Sequence, residues 1–534
     1  MKRLFPWLLS GLLLAPSAWW IATDRSVWSW DPAFYAMDTT DLWYLLANHP
    51  RQWPDRMISI FHAKAPGIGW LGQFFVPLGR WMGSVEIGLL TSVLLCQFVS
   101  LMLLYRLCRR LAPSSVLPAV AGTLLVAASP LFVAMSHHFL TEAIQLLSIT
   151  YVLWIAVEAT TLPPVRVLLH IVLAVVLGVL TKVSTPAYVV FPAGLALVRA
   201  MVALRESKTR PAFGASEIGL AVTGLVVGGF GLGWYLRNGR AVFAFAKLAA
   251  SSDMALDYGS RRPFLDKLGT WLVAVSKTLF VPATAWALLF LVAAAGVVIL
   301  RRNRAGLGSA VNQPAGGLML LLLAQVVLVL AMMSTTINEE TRYLLPLAPF
   351  FAATLTWILA RLPSRRAVVL GLLIFAAQWV FVHARQLGNL PAEEGGYWSR
   401  APVAEGAKMR DVEAVIRATC NEQTVGRWNT VGMNLDWLNH FTMMFYGTKY
   451  QLDHPGRCYY QYLGHAPKDP DEAMRLVGAM DGAYFISLEA AAMPKPPDFL
   501  NQISAEVVLR VERDPGFVRV PFESSSGIAL YRRR

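Results

Sequence analysis

Apolar runs of about 20 residues, each long enough to cross the hydrocarbon core of a bilayer, recur from residue 5 to residue 384. They lie near 5–22, 84–105, 114–135, 139–157, 163–182, 186–204, 216–236, 271–300, 316–335, 343–361 and 366–384. Only 15% of the 534 residues are charged, against about a quarter in soluble proteins. A water-soluble fold is excluded. The sequence predicts a polytopic α-helical membrane protein of about 11 transmembrane helices.

The formal net charge of +14 would suit a nucleic-acid partner if the charge were gathered in one groove, but it is dispersed. "MKR" opens the chain, and "YRLCRR" (105–110), "RESKTR" (205–210), "RRNR" (301–304) and "RLPSRR" (361–366) fill short gaps between apolar runs. The positive-inside rule assigns such clusters to cytoplasmic loops, so no nucleic acid is expected as a partner. An odd number of spans starting inside ends outside. The expected location is the cell (inner) membrane, with the N-terminus cytoplasmic and the C-terminal stretch periplasmic or extracellular. The first run also has the basic start and small residues ("APSA", 15–18) of a signal peptide, whose removal would leave the remaining orientation unchanged.

Three segments on the outer side exceed simple turns: 23–83, 237–270 and the tail from about 385. Segments of that length generally have a function, and ordering of 237–270 over a site is one option. The expected division is a membrane module over 1–385 and a soluble α/β domain over 386–534. In the tail, helical patterns at 402–419, 434–446 and 470–480 alternate with β-like runs at 424–428, 482–488 and 527–533, which suggests a small α/β layer structure. Cys420 and Cys458 are the cysteines outside the membrane part, and pairing and free thiols both stay open. Cys96 and Cys108 read as apolar packing residues.

Ionisable residues gather at the outer span ends, where they are costly and often functional. "WSWDPAFYAMDTTDLW" (28–43) carries Asp31, Asp38 and Asp41, with Trp28 and Trp30 flanking Asp31. "FHAKAPGIGW" (61–70) carries Lys64, and "SHHFLTEAIQ" (136–145) carries His138 and Glu142. "LTKVSTPAY" (180–188) carries Lys182, "WYLRNGR" (234–240) carries Arg237 and Arg240, and "INEETRYLLPLAPF" (337–350) carries Arg342 and Tyr343.

In order and sidedness these stretches resemble the C-type (GT-C) membrane glycosyltransferases that use polyprenyl-phosphate sugars, a superfamily that includes protein O-mannosyltransferases and the aminoarabinose transferases of lipid A modification. "WDPAFYAMD" is similar to the family's acidic motif, and "HAKAPGIGWL" to its Lys-Pro-Pro-Leu segment. "WYLRNGR" resembles its Trp-Tyr-x-Arg-Asn, and "RYLLPLAPFF" its Arg-Tyr-x-x-Pro. The resemblance covers roughly residues 1–385. Two departures are visible: Pro32 stands where the family usually has a second acidic residue, and Glu142 where it usually has an aspartate. The resemblance implies a GT-C-like fold and sugar transfer from a lipid-phosphate donor.

Transfer of a sugar from a lipid phosphate to a hydroxyl needs a base for the hydroxyl proton, which an ionised carboxylate supplies. It also needs cations at the phosphate oxygen that gains charge as the bond breaks. Asp31 is the expected base with Asp38 in reserve, and Lys64, Arg237 and Arg240 are the expected phosphate ligands. A single base in direct displacement predicts inversion. Glu142, His138, Arg342 and Tyr343 are candidates for the cavity or the acceptor.

Each candidate also has a purely structural alternative. Asp31 before Pro32 would make a helix N-cap, and Asp38 and Asp41 read as solvated surface. Lys64, Lys182 and Arg237 could anchor at the interface. Glu142 could complement a helix dipole. His138 and Glu142, four apart, have a spacing compatible with a divalent metal, but two ligands make no site, and no cofactor is expected with assurance. The expected partners are a polyprenyl-phosphate sugar donor, membrane lipid, and an acceptor glycan, lipid or protein. A transporter or lipid flippase, which would need ionisable groups or broken helices at mid-membrane, and a non-catalytic scaffold are the rival readings.

Overall fold

A computed structural model describes residues 4–534 except 207–213, 303–313, 363, 391–399, 464–468, 496 and 498–499. The basic clusters at 205–210 and 301–304 fall largely outside the described residues. The chain divides into two compact units. The first comprises Met1–Ile21, Asp55–Ile68 and Leu90–Ala401; the second comprises Ala22–Pro54, Gly69–Leu89 and Pro402–Arg534.

The first unit is helical. Among the described residues of the chain, eight helices are long and apolar enough to cross a membrane, or nine if one bent pair counts as a span. The chain is a multi-pass membrane protein. Of the eleven apolar runs read from the sequence, three do not form a single helix of that length, each for a local reason. The run at 114–135 is two helices, Leu117–Ala127 and Pro130–Met135, because Pro130 has no N–H to continue the first. Hydrocarbon offers no water to the carbonyls freed near such a break. Gln378 donates to the Ala128 carbonyl (2.9 Å) and Gln97 to that of Phe132 (2.9 Å).

The run at 139–157 forms a 17-residue helix, Glu142–Glu158, whose first residue is a buried carboxylate. The run at 271–300 lies on two helices, Phe264–Thr278 and Pro282–Arg302, bent by 103° at Leu279–Val281. Residues 237–270, expected as a long loop, are mostly helical. The helix Ala215–Ser251 runs through "AVFAFAKLAAS" without a breaker. Beyond it Gly259 bridges to Asn338, and Ser260 and Arg262 both bond Glu339 (2.6 and 2.5 Å). The segment is thus tied down in this state.

Small residues set the closest helix approach. A Cβ on Gly122 would lie 3.0 Å from the Ala352 carbonyl oxygen and closer still to Thr356 Oγ1, so the helices Leu117–Ala127 and Ala348–Leu359 meet nearly backbone to backbone.

The second unit is built on a five-stranded mixed sheet: β1 (Trp428–Val431), β2 (Tyr459–Tyr462), β3 (Tyr484–Leu488), β4 (Phe517–Val520) and β5 (Ile528–Arg533), in the order β2-β1-β3-β5-β4. β1 runs parallel to β2 and β3; β5 runs antiparallel to β3 and β4. All five residues of β3 are buried, as expected of a strand paired on both sides and covered on both faces. β2 and β4 add to the strands read from the sequence; each is only four residues long. Helix Ala407–Thr419 precedes β1, and helices His440–Gln451, Pro470–Met480 and Ser504–Arg513 connect β1 to β2, β2 to β3 and β3 to β4. Cys420 and Cys458 are joined by a disulfide, with Cα atoms 5.6 Å apart. The helix Trp30–Asn48 of the first outer segment packs on His440–Gln451 within this unit.

Candidate functional site

In the second unit, the Asp31 helix starts two residues earlier than the cap reading requires. Ser29 takes the N-cap position, Trp30 is the first helical residue and Asp31 the second. Pro32 follows within the first turn, where no N–H is missed. Asp31 is therefore a first-turn carboxylate and is half-buried. Trp30 reaches the helix through a left-handed backbone, φ +43°.

Asp38 and Asp41 are each 5% exposed, which corrects the expectation of solvated surface. Residues 35–42 are buried without interruption, since this helix is surrounded rather than laid on a face. Arg457 donates to Asp41 (2.8 Å). A buried carboxylate needs such a partner.

Residues 24–30 are held by the tail. The Arg25 N–H donates to the Val403 carbonyl (2.8 Å), and the Val403 N–H to Asp24 (2.9 Å). The Trp28 N–H donates to the Tyr446 hydroxyl (3.2 Å), while the Thr442 hydroxyl donates to the Trp28 carbonyl (2.9 Å). The Trp30 indole donates to Asn434 (3.1 Å). Lys449 bonds both oxygens of Glu86 (2.9 and 3.1 Å), and Ser84 bonds one (2.7 Å). Burial pushes the Tyr446 phenol well above its ordinary value, and the neighbouring Glu86 carboxylate adds to the rise.

In the first unit, two motifs far apart in sequence form one assembly. Trp234, fully buried, donates its indole N–H to the Ile60 carbonyl (2.9 Å). Asn238, also buried, donates to the Ile58 carbonyl (2.9 Å) and lies 3.3 Å from His62 Nδ1. These bonds fix the turn that presents Lys64, in which Phe61 and His62 take positive φ (61° and 38°). Left-handed non-glycine residues cost about 1–3 kcal/mol each and gather at functional sites. Lys64 is half-buried, with Nζ 5.7 Å from the Phe245 ring centre. Arg237 is exposed and pairs with Asp55 through Nη1 (2.7 Å). Arg240 is exposed. Just beyond Lys64, a Cβ on Gly67 would lie 2.8 Å from the Leu180 carbonyl oxygen, so this turn meets the end of the helix Pro164–Thr181 closely.

A second cluster in the first unit surrounds Glu142. Its side chain is 2% exposed and takes a bond from Lys182 (2.9 Å), with Arg342 Nε at 3.6 Å. Arg342 also pairs with Glu340. Lys182 Nζ stands 4.1 Å from the centre of the Tyr343 ring, whose backbone carbonyl accepts from the Tyr188 hydroxyl (2.9 Å). Glu142, Arg342 and Tyr343 thus converge. Lys182, read from sequence as an interface anchor, is instead the principal partner of Glu142. The signal was present as an isolated Lys and an isolated Glu at the same ends of two spans. His138 is half-buried one turn before Glu142.

The metal option for His138 and Glu142 fits poorly. Two cations already balance the Glu142 carboxylate, and among the described residues no three His, Cys, Asp or Glu side chains converge.

Residues 63–227 match the sequence profile of the family described as dolichyl-phosphate-mannose-protein mannosyltransferase. That stretch includes Lys64, His138, Glu142 and Lys182 but not Asp31, Arg237 or Arg342. A comparison with curated proteins gives no match by sequence. Among solved structures, ArnT from Cupriavidus metallidurans bound to undecaprenyl phosphate superposes with a TM-score of 0.60 at 14% identity, covering 98% of this chain and 97% of that one. The Archaeoglobus fulgidus oligosaccharyltransferase, in complex with zinc and sulfate, superposes with a TM-score of 0.55 at 12% identity, covering 99% of this chain and 72% of that one. The same enzyme tethered to an acceptor peptide gives a TM-score of 0.52 at 13% identity, covering 100% and 74%. The chain has the fold of the C-type glycosyltransferases, as its four motifs implied.

Proposed function

We propose that this protein is an inverting glycosyltransferase that moves a sugar from a polyprenyl-phosphate donor to a hydroxyl acceptor on the outer face of the membrane. In this reading the N-terminus is cytoplasmic and the tail lies outside. Asp31 takes the proton of the acceptor hydroxyl, and the freed oxygen attacks the anomeric carbon. The bond from that carbon to the phosphate oxygen breaks, and the lipid phosphate leaves with the electron pair. Lys64 and Arg237 offset the charge that develops on the phosphate, an interaction stronger in the transition state than in the ground state. Only Nη1 of Arg237 is engaged by Asp55, which keeps the other edge of its fork for phosphate oxygens.

The observation that carries the reading is the assembly of two motifs. The buried Trp234 and Asn238 hold residues 58–62, and so the Lys64 turn, beside the helix that bears Arg237. A transporter would favour the bent pair as a gate, but its break, Leu279–Val281, has no ionisable side chain.

Sugar release or transfer from a panel of polyprenyl-phosphate sugars, comparing wild type with Asp31→Asn, tests the proposal. Asn preserves size and hydrogen bonding but removes the base, so turnover should fall about 100-fold or more while donor binding persists. Wild-type turnover in the variant would remove Asp31 from the chemistry and direct attention to Asp38.

A further inference from the structure

Thr442 and Tyr446 are one helical turn apart on the helix His440–Gln451 and therefore share a face. Between them they take both backbone polar groups of a single residue, the N–H and the C=O of Trp28. Both side chains are buried, at 0% and 2% exposure. Phe445 adds a stacked contact to the Trp28 ring, with centroids 5.5 Å apart. The Tyr446 hydroxyl is in turn bonded to Glu86, whose carboxylate is anchored by Lys449 and Ser84.

Two residues after the gripped peptide, Trp30 has its left-handed φ, and Asp31 follows at once. A tryptophan left to itself relaxes toward negative φ, because its Cβ crowds the next carbonyl at positive φ. Rotation there re-aims every atom downstream, beginning with the Asp31 carboxylate. The strained residue is bracketed: Trp28 is fixed before it, and its own indole is fixed by Asn434, which exchanges bonds with Asn501 (2.9 and 3.2 Å).

We infer that the C-terminal part of the chain is a positioning device for the proposed base, with Thr442 and Tyr446 acting as positioning residues that hold the Trp28 peptide and thereby aim Asp31. The inference rests on the reading of Asp31 as the base. It gives the tail a role in turnover. Neither residue touches the substrate in this scheme. Their effect is on how often the carboxylate is correctly directed, so they act on kcat more than on the KM for donor.

The test uses the full-length chain in lipid nanodiscs and the variants Thr442→Val, Thr442→Ser, Tyr446→Phe and Asp31→Asn. Hydrogen exchange followed by mass spectrometry reports on the grip with no donor needed. The peptide covering residues 26–34 should exchange about fivefold faster in Thr442→Val and Tyr446→Phe, while peptides from β3 and β5 stay unchanged. Thr442→Ser, which keeps the hydroxyl, should match wild type. Turnover is then measured on polyprenyl-phosphate mannose, glucose and aminoarabinose. The two disruptive variants should lose about 10- to 100-fold in kcat with the donor KM within about twofold, and Thr442→Ser should restore it.

Unchanged exchange at 26–34 overturns the inference, with or without an active donor. So does faster exchange with wild-type kcat while Asp31→Asn is dead, an outcome that leaves the base reading intact. Equal loss in Thr442→Val and Thr442→Ser would mark Thr442 as a packing residue and also overturn it. Full activity in Asp31→Asn removes the base reading, and the inference falls with it.

Discussion

The Glu142 cluster makes an asymmetric prediction about stability. Glu142 is 2% exposed, whereas its partner Lys182 is 23% exposed and can reach water when released. At an effective dielectric of 20, unit charges 2.9 Å apart attract by about 6 kcal/mol. Most of that offsets desolvation, so the cost of a variant depends on which charge is left behind. Lys182→Met leaves a buried carboxylate with only Arg342, at 3.6 Å and shared with Glu340; stranding a charge in this way costs roughly 3 kcal/mol. Glu142→Gln leaves an ammonium that can swing outward, at about 1–2 kcal/mol. Once the carboxylate is gone the lysine has little left to do, so the double variant should match Glu142→Gln. Unfolding of the detergent-solubilised chain by SDS, followed by helical circular dichroism, gives the midpoints. The expected order is wild type first, Glu142→Gln and the double variant together next, and Lys182→Met last. Additive losses in the double variant, or a Lys182→Met midpoint equal to wild type, would refute the pairing and the reasoning from burial.

Two further predictions concern the second unit. The Cys420–Cys458 bond closes a loop over a separation of 38 residues, which constrains the unfolded chain by about 4 kcal/mol; reduction should lower the thermal midpoint read from the sheet, and Cys420→Ser/Cys458→Ser should reproduce the loss without reductant. Asp411 is buried, which opposes its ionisation, but bonds from Ser526, Ser525 and Ser524 more than offset this and hold its carboxyl below the ordinary value. Its contribution is fully present above the unfolded-chain value of about 4 and is lost as the pH falls through the lower folded value. Exchange at 524–528 should rise across that window in wild type, and Asp411→Asn should show no such rise.

The fold was legible wherever composition alone decides. Apolar runs located the long helices of the membrane module, because a lipid environment permits little else, but not the helical continuation through 237–251 or short helices such as Trp53–Ser59. They could not show that Pro130 divides one run or that Pro282 follows a sharp bend, since both effects depend on which buried amides are near enough to satisfy the freed carbonyls. The candidate residues were legible as types at span ends, but their partners were not. Asp38 and Asp41 look solvated in sequence because a carboxylate three residues from another usually is; both are buried on a helix that packs on one about 400 residues downstream, and Asp41 is met there by the distant Arg457. Trp234 and Asn238 could be quoted as parts of a motif. That they act by bonding the carbonyls of Ile60 and Ile58 needs the third dimension.

The composition of the second unit bears on how the protein is made. Its first outer segment and its last 133 residues are separate parts of one core, and Asp41 is 416 residues from Arg457. At ribosomal rates of roughly 5–20 residues per second, Asp41 emerges on the order of a minute before its counterion exists. During that interval the helix Trp30–Asn48 lacks the helix His440–Gln451 on which it packs. A nascent chain stopped before residue 442 would insert its membrane helices and still lack the grip on Trp28. In the proposed reading the grip on Trp28 forms only once residue 446 has been made, so a product truncated before it is expected to insert in the membrane and show no turnover.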